Sequence, residues 1–119
     1  MGNPFVHVEL TTSDLGKAKD FYTQMFDWQL QEFNGGGMPY TLINTGQEPG
    51  GGMMAQPMPG VPVAWSMYIA VDDLDAASAK LTKLGGKVLV PRTEVPDMGW
   101  FVFASDPQGA TFGLWQAKM

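Results

Sequence analysis

Cysteine is absent from this 119-residue chain, and histidine occurs once. The first absence excludes disulfides, thiolate metal sites and cysteine nucleophiles. The second leaves His7 as the single imidazole for acid–base or metal chemistry. Positive charge is also scarce. Seven Lys and Arg stand against twelve Asp and Glu, a formal net charge of −5. Nothing resembles the clustered basic residues of a nucleic-acid surface, so no nucleic-acid partner is expected. Apolar runs stay short of the ~18 residues that span a bilayer, and the first residues lack a basic-then-apolar leader. The expectation is a cytoplasmic protein with no membrane partner. Dinucleotide and phosphate loops are missing too, as is a Gly-x-Ser-x-Gly elbow; the triple-glycine runs lack the flanking Lys and Ser of a phosphate loop.

The composition that remains, 45% hydrophobic and 16% charged, suits one folded domain with a core. Nine Met, seven Phe, four Trp and three Tyr make up much of the apolar content. Such side chains fill cores, and they also build adaptable walls for apolar ligands.

Phe5 to Leu10 reads as a strand within residues 4–10. Its two-residue period puts Phe5, His7 and Glu9 on one face and Val6, Val8 and Leu10 on the other. The second face is wholly apolar and should meet helices. The first, polar and aromatic, suits the lining of a cavity. Thr11-Thr12-Ser13-Asp14 offers helix caps, and Leu15, Ala18, Phe21, Tyr22 and Met25 follow at helical spacing as an apolar stripe. Further strands are predicted at 28–33 and 40–43, with a turn at Asn34-Gly35-Gly36-Gly37 between them. Gly50-Gly51-Gly52-Met53-Met54 is either a weak strand whose glycines admit a close neighbour or a poorly ordered loop. Three prolines at 57, 59 and 62 mark an extended linker. The order then recurs: a strand at 64–71, a helix from Leu74 capped by Asp72-Asp73, a strand at 87–90 stopped by Pro91, a loop at 92–98, and strands at 100–104 and 111–116. Leu15 matches Leu74 at an offset of 59, and Met38 through Gln56 match Met98 through Gln116 at an offset of 60.

This pattern resembles the vicinal oxygen chelate superfamily: glyoxalase I, bleomycin-resistance proteins and extradiol dioxygenases. The chain is most similar to its bacterial glyoxalase-related members. The motifs that carry the resemblance are His7 eight residues before Leu15, the helix Asp14-Leu15…Ala18…Asp20-Phe21-Tyr22, the junction Leu84-Gly85-Gly86-Lys87-Val88, and Asp106-Pro107-Gln108-Gly109 leading to Leu114. The resemblance implies an α+β fold of two tandem βαβββ modules, their mixed sheet curled into a cup with helices outside. Residues 1–119 form one domain in this reading, with module one at 4–56, the linker at 57–62 and module two at 63–117.

The resemblance also implies four metal-ligand positions on the first and last strands of the modules. Carried over, these fall on His7, on Met53 (Gly52 after a slip of one residue), on Ser66 and on Gly113. Only His7 is a good donor for a divalent ion, because Ser is weak when neutral, a thioether is soft and Gly has no side chain. The expectation is therefore no resident cofactor, with a divalent metal retained only through His7 and an incomplete set. His7 and Glu9 are the candidate catalytic pair, as base and orienting acid. A purely structural pairing of Glu9 with Arg92 or a lysine stands against that role. The candidate pocket comprises His7, Glu9, Tyr40, Met53, Ser66, Tyr68, Trp100, Gly113 and Trp115, while Trp65 and Met67 point to the helix side. Three functions compete: binding a small aromatic or apolar molecule without the usual metal, a metal-dependent lyase, isomerase or dioxygenase activity using His7 and an unorthodox ligand set, and assembly as a homodimer without catalysis.

Overall fold

The computed structural model describes residues 2–33 and 39–118. The predicted turn at 34–37 lies outside the described residues, as does Met38. The element order is β1 (Phe5–Thr12), α1 (Leu15–Met25), β2 (Gln29–Phe33), β3 (Tyr40–Asn44), β4 (Gly51–Ala55), β5 (Ala64–Ala70), α2 (Leu74–Lys83), β6 (Lys87–Val95), β7 (Gly99–Ser105) and β8 (Thr111–Ala117). This is an α+β chain in which the order strand, helix, three strands occurs twice. Two compact units result, one of His7–Ser66 and one of Met67–Met119 together with Met1–Val6.

In the His7–Ser66 unit the strands run in the order β2-β3-β4-β1. β1 and β4 are parallel, while β2, β3 and β4 are antiparallel neighbours, so the sheet is mixed. The glycine-rich stretch is a true strand. A Cβ at Gly51 would stand 2.7 Å from the Val8 carbonyl oxygen, so its glycine admits the adjacent backbone. Leu10, Ala18, Ile43 and Met53 form the core between α1 and the sheet. Helix α1 starts where Asp14 accepts from the Lys17 N–H at 3.0 Å, which satisfies one of the first-turn donors. Its stripe is only partly covered. Ala18 is buried and Leu15 and Tyr22 half-buried, whereas Phe21 and Met25 stand in solvent.

In the other unit the strands run β5-β8-β7-β6, with β5 parallel to β8 and the rest antiparallel. Leu74, Val102, Ala104 and Leu114 form its core under α2, whose cap is Asp73 accepting from the Ala76 N–H at 3.0 Å. One strand differs from expectation. β6 continues through Pro91 to Val95, and much of the predicted loop at 92–98 is paired. The register shifts between Val88 and Val90 and again between Val90 and Thr93, and the second irregularity contains the proline. Beyond β7, β6 has no further neighbour in this unit, so a residue without an N–H is tolerated at the irregularity. Among the described residues no helix is long and apolar enough to cross a membrane.

Candidate functional site

Register decides which side chains meet. Glu9 pairs with Gly52 across β1 and β4, and Leu42 pairs with Gly52 across β3 and β4. Paired residues share a face, and alternate residues along a strand return to it. His7, Glu9, Tyr40, Leu42 and Gly52 therefore share one side of this unit's sheet. Met53 pairs with Leu10 and packs in the core toward α1, so its side chain stands on the opposite side from His7. The counterpart of Gly113 is thus Gly52 rather than Met53, at an offset of 61. Equivalent pairings fix this: Glu9 with Gly52 in one unit, Tyr68 with Gly113 in the other.

Gly52 determines what fills the face. A Cβ there would overlap the Tyr40 phenol, so the ring occupies space that any other residue would claim. From that position Tyr40 reaches both predicted catalytic residues. Its hydroxyl donates to Glu9 Oε1 at 2.9 Å, and its oxygen lies 2.7 Å from His7 Nε2. With the phenolic proton committed to Glu9, His7 Nε2 is the donor to Tyr40 Oη, which places the imidazole proton on Nε2. The His7 and Tyr40 rings are tilted by 26° with centroids 6.2 Å apart. Glu9 is 6% exposed, neither reaching solvent nor pairing with Arg92, which instead bonds Asp75 at 3.1 Å. Burial lowers the His7 pKa below its ordinary value of 6.5, so the imidazole is neutral at physiological pH.

In the other unit Gly113 plays the same steric part for Tyr68. A Cβ at 113 would overlap the Tyr68 ring, which is buried and packs against Phe101 and Phe103 at centroid separations of 6.1 and 6.3 Å. Trp115 pairs with Ala70 and Phe101 and shares this face with Tyr68 and Gly113. Trp100 does not. It pairs with Gln116, packs on the core under α2, and carries Arg92 and Lys118 over its ring at 5.1 and 5.3 Å. Its role there is packing and cation–π contact, which removes it from the Tyr68 face. Ser66 is buried on β5, and by alternation Trp65 points to the other side of that strand. There Trp65 donates from Nε1 to the Tyr22 hydroxyl at 3.1 Å, on the helix side as expected.

The donor chemistry at the four carried-over positions is now explicit: one imidazole, one serine hydroxyl and two glycines whose space is taken by tyrosine rings. These residues do not fit a four-ligand divalent centre. Among the described residues, no three His, Asp or Glu side chains are grouped to hold a metal ion. A surface groove of about 360 Å³ lies elsewhere, under α2 beside Asn3, Asp72, Asp73 and Lys80. It holds none of the candidate site residues.

What sequence reasoning missed is the link between His7 and Glu9. The available signal was Gly52, a glycine inside a strand, with an aromatic residue two positions before its antiparallel partner Leu42.

Residues 5–114 match the model of the Glyoxalase/Bleomycin resistance protein/Dioxygenase superfamily. The chain belongs to that superfamily. It is 40% identical over 118 residues to CFP32 of Mycobacterium tuberculosis (strain CDC 1551 / Oshkosh), a protein named as a glyoxylase, covering 93% of this chain and 44% of that protein. It is 27% identical over 125 residues to the anthracycline biosynthesis protein DnrV of Streptomyces peucetius, covering 91% of this chain and 45% of that one. The chain thus spans less than half the length of these curated relatives. The fold also matches the crystal structure of hypothetical protein BH1468 from Bacillus halodurans C-125, with a TM-score of 0.68 at 12% identity, over 100% of this chain and 97% of that one.

Proposed function

We propose that this glyoxalase-like protein binds a small aromatic or apolar molecule against the His7 face, without the usual four-ligand metal centre. One observation carries the reading. Tyr40 fills the space left at Gly52 and ties His7 to Glu9, where a metal-dependent relative would need a ligand side chain. His7, Glu9 and Tyr40 then form one linked set of polar anchors, and Leu42 on the same face adds apolar surface, the mixture that suits a small-molecule site. The similarity to an anthracycline biosynthesis protein agrees with a planar aromatic ligand class.

The second reading is a metal-dependent lyase, isomerase or dioxygenase of the same superfamily that uses His7 within an unorthodox ligand set. It is favoured by burial, which keeps the imidazole neutral, the form that a metal ligand or a base requires.

Elemental analysis of protein purified without chelator, followed by calorimetric titration with Mn²⁺, Ni²⁺, Zn²⁺ and Fe²⁺, separates the readings. The expected result is no bound metal and no heat, with tryptophan fluorescence responding to planar apolar compounds. Stoichiometric metal binding that disappears in His7→Ala would overturn the metal-free reading and put the enzyme first.

A further inference from the structure

Both tryptophans of the His7–Ser66 unit rest on one tyrosine. Trp65 donates from Nε1 to the Tyr22 hydroxyl at 3.1 Å and meets its ring edge-on at 5.3 Å. Trp28 stacks on the same ring at 5.7 Å, tilted by 12°. The two indoles stand edge-on to each other, their planes 82° apart and their centroids 6.0 Å apart. They form a corner, and both line a cleft of about 190 Å³. Val8, Ile43 and Pro49 supply the other apolar walls, and the rest is Thr45 and glycine backbone. The Thr45 hydroxyl is already committed, donating to the Gln47 carbonyl at 3.1 Å. Among the described residues, none that lines the cleft is charged.

We propose that this cleft is a binding site for a neutral, single-ring aromatic molecule, separate from the His7 face. Three observations select that occupant. The first is charge. An ammonium or carboxylate entering an uncharged lining sheds water and gains no partner of opposite sign, a cost that apolar contacts do not offset. The second is size. An apolar cavity of about 150 Å³ holds benzene, so this one suits a single ring with a short alkyl group. The third is the shape of the walls. Two indoles at 82° present a face and an edge to one guest ring, the stacked and edge-on contacts that aromatic pairs prefer. Tyr22 holds both walls before a guest arrives, so little ordering is left to oppose binding. Val8 and Ile43 both pair with Gly51, and the face they share is opposite to that of His7, Glu9 and Gly52. The proposal therefore does not depend on the His7 face.

Toluene is the probe, and the indole Nε1–H signals of Trp28 and Trp65 in nitrogen–proton correlation NMR spectra of the intact chain are the readout. Both signals should shift saturably, with a dissociation constant on the order of 1 mM. Benzylammonium, a similar ring bearing a charge, should bind at least about tenfold more weakly. Val8→Phe sets a larger side chain on the cleft wall, and should weaken toluene binding by about tenfold or more while the circular dichroism spectrum is kept. If that variant loses its folded signal, Trp65→Ala serves instead. Trp65 is 39% exposed, so the fold should survive, and loss of one wall should weaken the Trp28 response to toluene by about tenfold. Indole signals that do not move with toluene overturn the proposal. So does a response that folded Val8→Phe keeps at full strength, or benzylammonium binding as tight as that of toluene. Toluene that shifts the His7 signals alone would leave the His7-face reading standing and remove this one. Indole signals that move with protein concentration instead of toluene would give the cleft to a second copy and overturn the small-molecule assignment.

Discussion

The two βαβββ halves solve one steric problem in the same way and arrive at different chemistry. Each has a glycine in its last strand, Gly52 or Gly113, and each lets a tyrosine ring lie where a side chain would stand. In the second half the ring comes from β5, the first strand of that half, and packs among Phe101 and Phe103. In the first half the ring comes from β3, and its hydroxyl bridges a buried carboxylate and the chain's single imidazole. Position 9 explains the divergence. It is glutamate in the first half, and the equivalent residue in the second is Tyr68 itself, since each pairs with the glycine of its own half. With the ring already on its first strand, the second half builds an aromatic wall; with a carboxylate there, the first half brings a phenol to it from β3.

The comparison breaks most visibly at the glycines. Gly113→Ala should destabilise the protein by about 3 kcal/mol, at the upper end of overpacking costs, because the new Cβ meets the near side of the Tyr68 ring, whose position is fixed by its own backbone. Gly52→Ala should cost less, about 1–2 kcal/mol, because the Cβ meets the far end of Tyr40, which can swing aside. Chemical denaturation of the two variants checks the order. Equal costs would mean that the two rings are held equally rigidly.

Tyr40→Phe should come next, at about 1–3 kcal/mol, because it keeps the ring but leaves the buried Glu9 without the phenolic donor. The same variant should alter His7 in NMR spectra, since Nε2 loses its acceptor. A stability change below about 0.5 kcal/mol would show that water replaces the phenol freely, and that the row of three residues is incidental.

The helix caps sharpen the comparison from the other direction, since here the halves should respond alike. Asp14→Ala and Asp73→Ala each remove one carboxylate acceptor at 3.0 Å from an orphan first-turn N–H, and each should cost about 1 kcal/mol. A large difference between them would locate an unequal share of the stability in one helix.

Much of this fold was legible because local rules and the global fold agree. Asp14 and Asp73 sit before apolar stripes, β1 alternates cleanly, and both halves show the same order of elements. The errors fall where a residue's fate depends on a partner far along the chain. Met53 and Gly52 differ by one residue in register, which flips the side chain to the other face, and only pairing with β1 decides between them. Pro91 ends a strand by local rule, yet it is accommodated at an irregularity in β6. Trp100 and Trp115 look alike in sequence, but pairing with Gln116 or with Ala70 sends them to opposite faces. Phe21 and Met25 fit an apolar stripe, and periodicity alone does not reveal how wide a strip the sheet covers. At the candidate site, His7, Glu9 and Tyr40 were each readable as pocket residues. The row they form was not, because it depends on the absence of a side chain at Gly52.

The smallest effect at neutral pH is a slope. Burial lowers the pKa of His7 in the folded chain, while the unfolded chain titrates near 6.5. Between the lowered value and 6.5 the unfolded state binds more protons, so stability rises with pH across that window. Above it both states are neutral and His7 contributes no slope. Below the folded-state pKa both are protonated, and the penalty of charging a buried imidazole is fully present. His7→Gln cannot titrate, so the difference in unfolding free energy between wild type and variant should fall as pH drops through the window and level off on either side. Parallel denaturant titrations at a series of pH values read this directly, because carboxylate titrations common to both proteins cancel. A difference that stays flat across the window would mean that the imidazole is solvated well enough to titrate normally. A difference that moves the opposite way would mean that the charged form is favoured, with Glu9 acting through Tyr40 to outweigh desolvation. In that case the first half would hold an ion pair relayed by a phenol, and its contrast with the aromatic wall of the second half would be electrostatic as well as steric.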